Sequence, residues 1–184
     1  QDGRGHLGDP HEIDFGEELF TSGVGANAEW DPPVVRVGMG SFVTPASVFD
    51  YRIAFDADGA VDREELGLLK QAPVLGGYDP ADYEQHRTWA VADDGTRVPV
   101  SIVCRADVAR DGSAPAVLYG YGSYEASMDP GFSAMRLSLL DRGFVFAIAH
   151  VRGGGELGRH WYDDGKMLRK RNTFTDFVAA AHHL

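Results

Sequence analysis

Two segments of the sequence decide the fold: Ala116-Val-Leu-Tyr-Gly-Tyr-Gly-Ser-Tyr124 and Phe144-Val-Phe-Ala-Ile-Ala-His-Val-Arg-Gly-Gly-Gly-Glu-Leu-Gly158. Each predicts a buried strand that runs into a glycine-rich loop. Between them, the residues from Ser133 to Gly143 predict a helix, with Ser133 as its N-cap and Gly143 just after its end. Strand, helix and strand in this order indicate an α/β domain, and we expect its function at the two loops.

Two further patterns extend the α/β domain. Arg87 to Ala92 and Thr96 to Val103 flank the turn signal Asp93-Asp-Gly95, which predicts a β-hairpin. Pro99 places the second of these strands at a sheet edge or a bulge, because proline has no N–H. Thr173-Phe-Thr-Asp176 resembles a capping box and predicts a helix with an apolar stripe of Phe174, Phe177, Val178 and Ala181.

Residues 1 to about 76 predict antiparallel β-structure. From Ser47 to Phe55, aromatic and aliphatic side chains alternate with polar ones, as in a half-buried strand. The other predicted elements are short strands at 34–38 and 41–44, a turn at 56–59 and a segment at 66–69 that pairs back. Four such strands fit one blade of a propeller or part of a sandwich, and no internal repeat decides between them. The glycines and proline of Gly76 to Asp82 mark the boundary with the α/β domain.

The chain is acidic: 17 lysine and arginine residues stand against 28 aspartate and glutamate residues, and the formal net charge is −11 over 184 residues. This charge disfavours a nucleic-acid partner, whose phosphates need cationic side chains. It attracts cationic substrates, although acidic surfaces also serve solubility alone.

Cys104 is the single cysteine, so a buried structural thiol in a reducing compartment is the simplest interpretation. No apolar run reaches membrane-spanning length, and the amino end has neither a methionine nor a signal-peptide pattern. We therefore expect a cytoplasmic protein without a membrane partner. Because the sequence also stops inside an apparent helix, we expect a fragment of a larger enzyme.

Tyr121 is the first candidate for chemistry, because glycines on both sides let the main chain approach a ligand while the phenol donates a hydrogen bond to a developing oxyanion. The alternative is an aromatic side chain packed under the loop with its hydroxyl bonded locally. Tyr124, three residues later, either lines an adjacent pocket or packs in the ordinary way.

The second loop permits a different hypothesis. Gly153, Gly155 and Gly158 match the G-x-G-x-x-G pattern of a dinucleotide site, and Asp176 follows at about the distance of a ribose-binding acid. No clean helical pattern follows Gly158, which weakens this reading.

The remaining ionisable residues predict no further site. The seven histidines show no metal-ligand spacing, so no metal or other cofactor is predicted. His150 is interpreted as a hydrogen-bonded core histidine. Glu156 and Asp176 are expected to form ion pairs with Arg152 or with the basic cluster 169–171.

Four motifs together resemble the prolyl oligopeptidase family of serine peptidases, and within it the oligopeptidase B (protease II) branch: Leu118-Tyr-Gly-Tyr-Gly-Ser-Tyr124, Asp129-Pro-Gly-Phe-Ser133, the run from Arg142 to Gly158, and Asn172-Thr-Phe-Thr-Asp-Phe177. The resemblance covers residues 20 to 184. It implies that residues 1–78 are the last blade of a seven-bladed β-propeller and that residues 82–184 begin an α/β-hydrolase domain.

The same resemblance implies an activity. Members of the branch cut short peptides after Arg or Lys through an acyl-enzyme and without a cofactor. Tyr121 maps to the tyrosine of the oxyanion hole, and Tyr124 to the aromatic residue beside the primary specificity pocket. Ser123 replaces a glycine of the prolyl-cleaving branch. The sequence contains no Gly-x-Ser-x-Gly, so the catalytic Ser, Asp and His are expected outside it, and the chain alone is expected to be inactive.

Overall fold

The computed structural model describes residues 10–30, 34–55 and 61–184. In this part of the chain the strands form two four-stranded sheets. The first sheet is an antiparallel meander with its strands in chain order: β1 (Thr21–Val24), β2 (Val35–Gly40), β3 (Ser47–Phe55) and β4 (Val61–Gln71).

The first sheet confirms most of the predicted strands. β3 has the predicted bounds, and β2 and β4 include the segments predicted at 34–38 and 66–69, apart from Val34. The strand predicted at Ser41–Thr44 is wrong. The Ser41 hydroxyl accepts hydrogen bonds from the backbone N–H groups of Val43 and Thr44, and these bonds close a turn. The turn predicted at 56–59 lies outside the described residues.

The second sheet begins just after the predicted boundary. Gly76 and Gly77 have φ of 98° and 83°, and a short 3₁₀ turn (Pro80–Asp82) leads into β5. The sheet order is β5-β6-β8-β7, with β7 parallel to β8 and the other pairs antiparallel. The remaining bounds are β5 (Tyr83–Val91), β6 (Arg97–Arg105), β7 (Ala116–Tyr119), β8 (Val145–Ala149), α1 (Ala134–Leu140), α2 (Arg159–Asp163) and α3 (Arg171–His183).

Several local predictions for the second sheet are confirmed. The hairpin β5–β6 turns at Asp93–Gly95, where Gly95 has φ of 82°. The helix predicted between Ser133 and Gly143 is α1, in which the Ser133 side chain accepts from the N–H of Arg136. Gly143 follows the helix with φ of 81°, a conformation that glycine adopts without strain.

Pro99 does not lie at an edge, because β6 is paired on both sides. The N–H of His150, just after β8, donates to the Pro99 carbonyl at 2.9 Å. An antiparallel pair of this kind normally exchanges two hydrogen bonds, and proline cannot give the second. The His150 carbonyl accepts instead from the indole Nε1 of Trp161, at 3.1 Å. A side chain thus replaces the donor that the proline lacks.

Helix α3 differs from its prediction in both start and orientation. It begins at Arg171, so Thr173 and Asp176 lie within the helix and do not form a capping box. Its buried residues are Thr173, Asp176 and Ala180, while Phe174, Val178 and Ala181 of the predicted stripe are exposed. Only Phe177 of that stripe packs against the core. Polar contacts of Thr173 and Asp176 to the loop after β8 set the rotation of the helix.

Two apolar clusters hold the sheets. One joins β5, β6 and β8 to α2 and α3. The other joins the first region to the second sheet, because Leu19 and Phe42, just outside β1 and β2, pack with Val103, Leu140 and Ile148. The Arg136 guanidinium lies over the rings of Phe42 and Phe146, 5.0 Å and 4.2 Å from their centroids. The carboxyl ends of β7 and β8 pack into the first of these clusters through Leu118, Ala149 and Val151.

Candidate active site

The two glycine-rich loops meet at the carboxyl ends of the parallel strands β7 and β8. The contact is so close that a Cβ on Gly153, whose φ is 103°, would lie 2.1 Å from the Gly122 carbonyl oxygen. A Cβ on Gly155 would lie 2.4 Å from the Glu125 carbonyl oxygen. Glycine is required at these positions because one main chain packs directly on another.

Tyr121 follows β7 on a turn that is fixed from the helix side. A Cβ on Gly120 would meet the Phe177 ring at 2.9 Å, and one on Gly122, with φ of 66°, would meet Thr173 and Val151 at 2.5 Å and 2.6 Å. The Tyr121 side chain is 46% exposed. In the described part of the chain no group forms a hydrogen bond with its hydroxyl, which leaves that hydroxyl able to donate to a ligand.

Tyr124 lies beside Tyr121 in a strained segment. Their ring centroids are 6.5 Å apart in an edge-to-face arrangement, and Tyr124 is 83% exposed. Tyr124 and Glu125 have φ of 56° and 63°, which costs about 1–2 kcal/mol for each residue that is not glycine. The Glu125 N–H donates to the Gly153 carbonyl at 3.1 Å, and its carboxylate binds Arg159 at 2.6 Å. Both predicted site residues therefore share one turn, held open to solvent.

A buried ion pair fixes the start of the second loop. Asp176, which is fully buried on α3, accepts from the backbone N–H, Nε and Nη2 of Arg152, at 2.9, 2.8 and 2.6 Å. Arg152 also binds Asp94 in the β5–β6 turn at 2.7 Å. The hydrogen bond from Arg152 holds the pKa of the Asp94 carboxyl at about 2, and the two carboxylates raise the pKa of Arg152.

This ion pair argues against the dinucleotide hypothesis. The carboxylate of Asp176, offered as the ribose ligand, is occupied by Arg152 and inaccessible. The helix after Gly158 has only five residues, too few to present a strong N-terminal dipole to a pyrophosphate. Of the expected ion pairs, Asp176 with Arg152 is confirmed. Glu156 instead lies beside His150, with 3.4 Å between Oε1 and Nδ1.

Ser101, His150 and Glu156 form an array that resembles a catalytic triad. The Ser101 hydroxyl lies 2.7 Å from Nε2 of His150 and also accepts from Arg87. Ser101 is completely buried and His150 is 2% exposed, so no peptide carbonyl reaches this hydroxyl. The array is a structural network, which confirms the interpretation of His150 as a core histidine. Its partner Ser101 was missed because it lies 49 residues away on another strand.

Lys170 and Thr173 are site residues that the sequence did not reveal. The Lys170 ammonium donates to the Gly122 carbonyl and, at 2.8 Å, to the Ser123 hydroxyl. The Thr173 hydroxyl donates to the Arg152 carbonyl and lies 3.5 Å from the Gly122 carbonyl. Burial lowers the pKa of Lys170. A lysine 48 residues from its acceptor gives no pattern in the sequence, so nothing short of the fold could have identified it.

The described residues form neither a metal-binding cluster nor a membrane-spanning helix. Within 10–30, 34–55 and 61–184, no group of three or more His, Cys, Asp or Glu side chains is arranged to hold a metal ion. None of the helices described there is both long and apolar enough to cross a bilayer.

Comparisons with known proteins agree on one family. A sequence profile of the prolyl oligopeptidase family matches residues 130–184. Dipeptidyl aminopeptidase BI of Pseudoxanthomonas mexicana is 48% identical over 91% of this chain and 22% of its own length. Protease 2 of Moraxella lacunata is 42% identical over 97% of this chain and 25% of its own length.

A solved structure extends this likeness to the fold. Oligopeptidase B from Leishmania major is 42% identical and superposes with a TM-score of 0.72, over 91% of this chain and 23% of that one. The chain thus spans about a quarter of the length of the relatives it matches. On the profile match and these identities, the chain belongs to the prolyl oligopeptidase family and is similar within it to oligopeptidase B.

Proposed function

We propose that this chain supplies the oxyanion-binding part of a serine peptidase that cuts short peptides through an acyl-enzyme. The observation that carries the proposal is the Tyr121 turn. A phenol at the carboxyl end of β7 is half exposed and has no hydrogen-bond partner for its hydroxyl among the described residues. The turn that presents it is packed against Phe177, Thr173 and Val151.

The reaction assigns a step to this phenol. A serine oxygen attacks the scissile carbonyl carbon while a histidine takes the serine proton, and the carbonyl oxygen becomes an oxyanion. The Tyr121 O–H donates a hydrogen bond to that oxyanion and stabilises it until the amine leaves with the proton from histidine. Because the packed turn already holds the backbone of Tyr121 in place, the bond forms with little reorganisation.

We place the catalytic Ser, Asp and His outside these 184 residues. The one serine that contacts a histidine in the described part of the chain, Ser101, is buried. In the described residues β7 pairs only with β8, so its other edge is free for a further parallel strand. A nucleophile at the carboxyl end of such a strand would stand beside Tyr121. The chain alone is then inactive.

The two sheets support an assignment of the chain to two domains, a propeller blade and an α/β-hydrolase domain. We propose that residues 1–78 form the last blade of a seven-bladed β-propeller, which the antiparallel meander β1–β4 supports. Residues 82–184 would begin the α/β-hydrolase domain, which the mixed sheet and its flanking helices support.

For specificity we propose cleavage after Arg or Lys, with Tyr124 at the border of the pocket for that side chain. The net charge of −11 favours the approach of cationic peptides. Tyr124 supports this role because its ring is largely exposed and packs edge-to-face against Tyr121.

The test uses Tyr121→Phe in the full-length protein with an Arg-Arg chromogenic peptide. Losing one oxyanion donor lowers kcat by about 10²–10³-fold, with little change in KM. Tyr119→Phe is the matched control, because Tyr119 is also 46% exposed but lies within β7. An unchanged kcat for Tyr121→Phe removes the phenol from the mechanism. Sustained turnover by the 184-residue chain alone contradicts the placement of the triad.

A second candidate is removal of dipeptides from the amino ends of peptides, which the 48% identity to a dipeptidyl aminopeptidase favours. Chromogenic peptides with blocked and free amino ends separate the two activities. An endopeptidase cleaves the blocked peptide, whereas a dipeptidyl aminopeptidase requires the free amine. Fluorescence titration with NAD tests the remaining alternative, a non-catalytic dinucleotide-binding module, for which micromolar binding would be the supporting result.

A further inference from the structure

Lys170 stands where α3 meets the Tyr121 turn. It is the residue before the first helical residue, Arg171, and its ammonium reaches across to the loop after β7. There it donates to the Gly122 carbonyl and to the Ser123 hydroxyl. In the part of the chain that the structure describes, no carboxylate forms an ion pair with it. A half-buried ammonium whose polar partners are a carbonyl and a hydroxyl of one turn is unusual, because burial disfavours its charge.

We propose that Lys170 is a positioning residue that holds the Tyr121 phenol in place for the reaction. This inference rests on the proposed function, and it adds a role for a side chain that does not itself touch the substrate.

The reason lies in the peptide group that joins Gly122 to Ser123. Gly122 has φ of 66°, and the Thr173 hydroxyl approaches its carbonyl oxygen only to 3.5 Å, so the charged donor for that carbonyl is Lys170. Lys170 fixes that carbonyl oxygen on the α3 side of the turn and binds the Ser123 side chain as well. The backbone next to Tyr121 is thereby fixed, which restricts the rotamers open to the phenol.

A neighbouring lysine provides a control from the same segment. Lys166 is also half buried, but its ammonium binds Asp163 and lies over the Tyr162 ring, 4.6 Å from the centroid. It makes no hydrogen bond to the loop after β7. Substituting Lys166 therefore removes a similar charge without releasing the Gly122 carbonyl.

The experiment is a double-mutant cycle in the full-length protein with Lys170→Met, Tyr121→Phe and both together. We expect Lys170→Met to lower kcat by about 10²-fold at nearly constant KM, as for a displaced catalytic group. In the Tyr121→Phe background the same substitution should change kcat little, because the group that Lys170 positions is gone. Lys170→Arg, which keeps the charge, should lose less kcat than Lys170→Met. Lys166→Met should keep the full kcat.

Three results would overturn the inference. The first is a double variant whose loss of kcat equals the product of the two single losses. The others are a loss of kcat in Lys166→Met equal to that in Lys170→Met, and a change in KM without a change in kcat. If Lys170→Met does not fold, Lys170→Gln takes its place in the cycle.

A second readout does not depend on turnover. 3-Fluorotyrosine at position 121 should give a ¹⁹F resonance that shifts or broadens in Lys170→Met and stays in place in Lys166→Met. If Tyr121→Phe keeps its kcat, the proposed function fails. The resonance then reports separately whether Lys170 orients the ring, and an unmoved resonance refutes that role.

Discussion

Asp176→Asn removes the charge at the centre of the second loop while almost keeping the shape of the side chain. In the native protein the Asp176 carboxylate accepts three hydrogen bonds from Arg152 and is fully buried. An asparagine offers one oxygen acceptor, and its NH₂ group meets the donors of the guanidinium. The variant therefore breaks a buried ion pair from one side.

The cost follows from what remains around Arg152. Removing one partner of a buried pair costs about 3–5 kcal/mol, because the other charge stays buried without compensation. Here Asp94 still binds Nη1 of Arg152 at 2.7 Å, so part of the charge stays paired. We therefore expect Asp176→Asn to lower the free energy of unfolding by about 3 kcal/mol, at the lower end of this range.

Urea unfolding followed by tryptophan fluorescence measures this loss, and Asp94→Asn is the control. Asp94 binds the same guanidinium, but its side chain is 48% exposed, and exposed pairs contribute only about 0.2–1 kcal/mol. If Asp176→Asn costs no more than Asp94→Asn, burial of the pair is not what holds α3 to the loop after β8, and our account of the helix orientation fails.

Two further predictions concern backbone and pH. Gly122→Ala should lower both stability and kcat, because its Cβ would overlap Thr173 and Val151 at a φ of 66°. Gly131→Ala is the control and should change neither quantity, because the space around Gly131 is open. Equal effects of the two substitutions would contradict the packing of the turn. The pKa of Asp94 is about 2 in the folded protein, below its ordinary 3.8, so its bond to Arg152 stabilises the fold above about pH 4 and is lost as pH falls toward 2. Acid titration of stability should accordingly bring wild type and Asp94→Asn together over that range, and a constant difference between them would exclude this linkage.

The sequence predicts those parts of the fold that depend on neighbours in the chain. α1 is confirmed because a serine cap and a following glycine act within one turn of the helix. The hairpin β5–β6 is confirmed because Asp93-Asp-Gly95 closes it locally. The strand predicted at Ser41–Thr44 is an exception, because the Ser41 side chain forms a local turn that apolar alternation does not reveal.

The other parts that were missed depend on contacts between distant segments. The rotation of α3 is set by Asp176, whose partner Arg152 lies 24 residues earlier, and not by the apolar residues Phe174 and Val178. Pro99 is tolerated inside the sheet because Trp161 supplies the missing donor to the His150 carbonyl. Neither the Asp176–Arg152 contact nor the Trp161 hydrogen bond is visible in a pattern of neighbouring residues.

At the site itself, the glycines of the two loops allow only part of the structure to be predicted from the sequence. The number of glycines in the two loops predicts that another group packs closely against the main chain. It does not predict which group that is. At Gly153 and Gly155 the approaching groups are the carbonyls of Gly122 and Glu125, so these glycines bring two loops together and do not receive a phosphate. Since the Tyr121 turn rests on the second loop, a bulky residue at Gly153 should displace the phenol without touching the substrate. The glycines after β8 thus serve the proposed oxyanion site indirectly, through the backbone that they support.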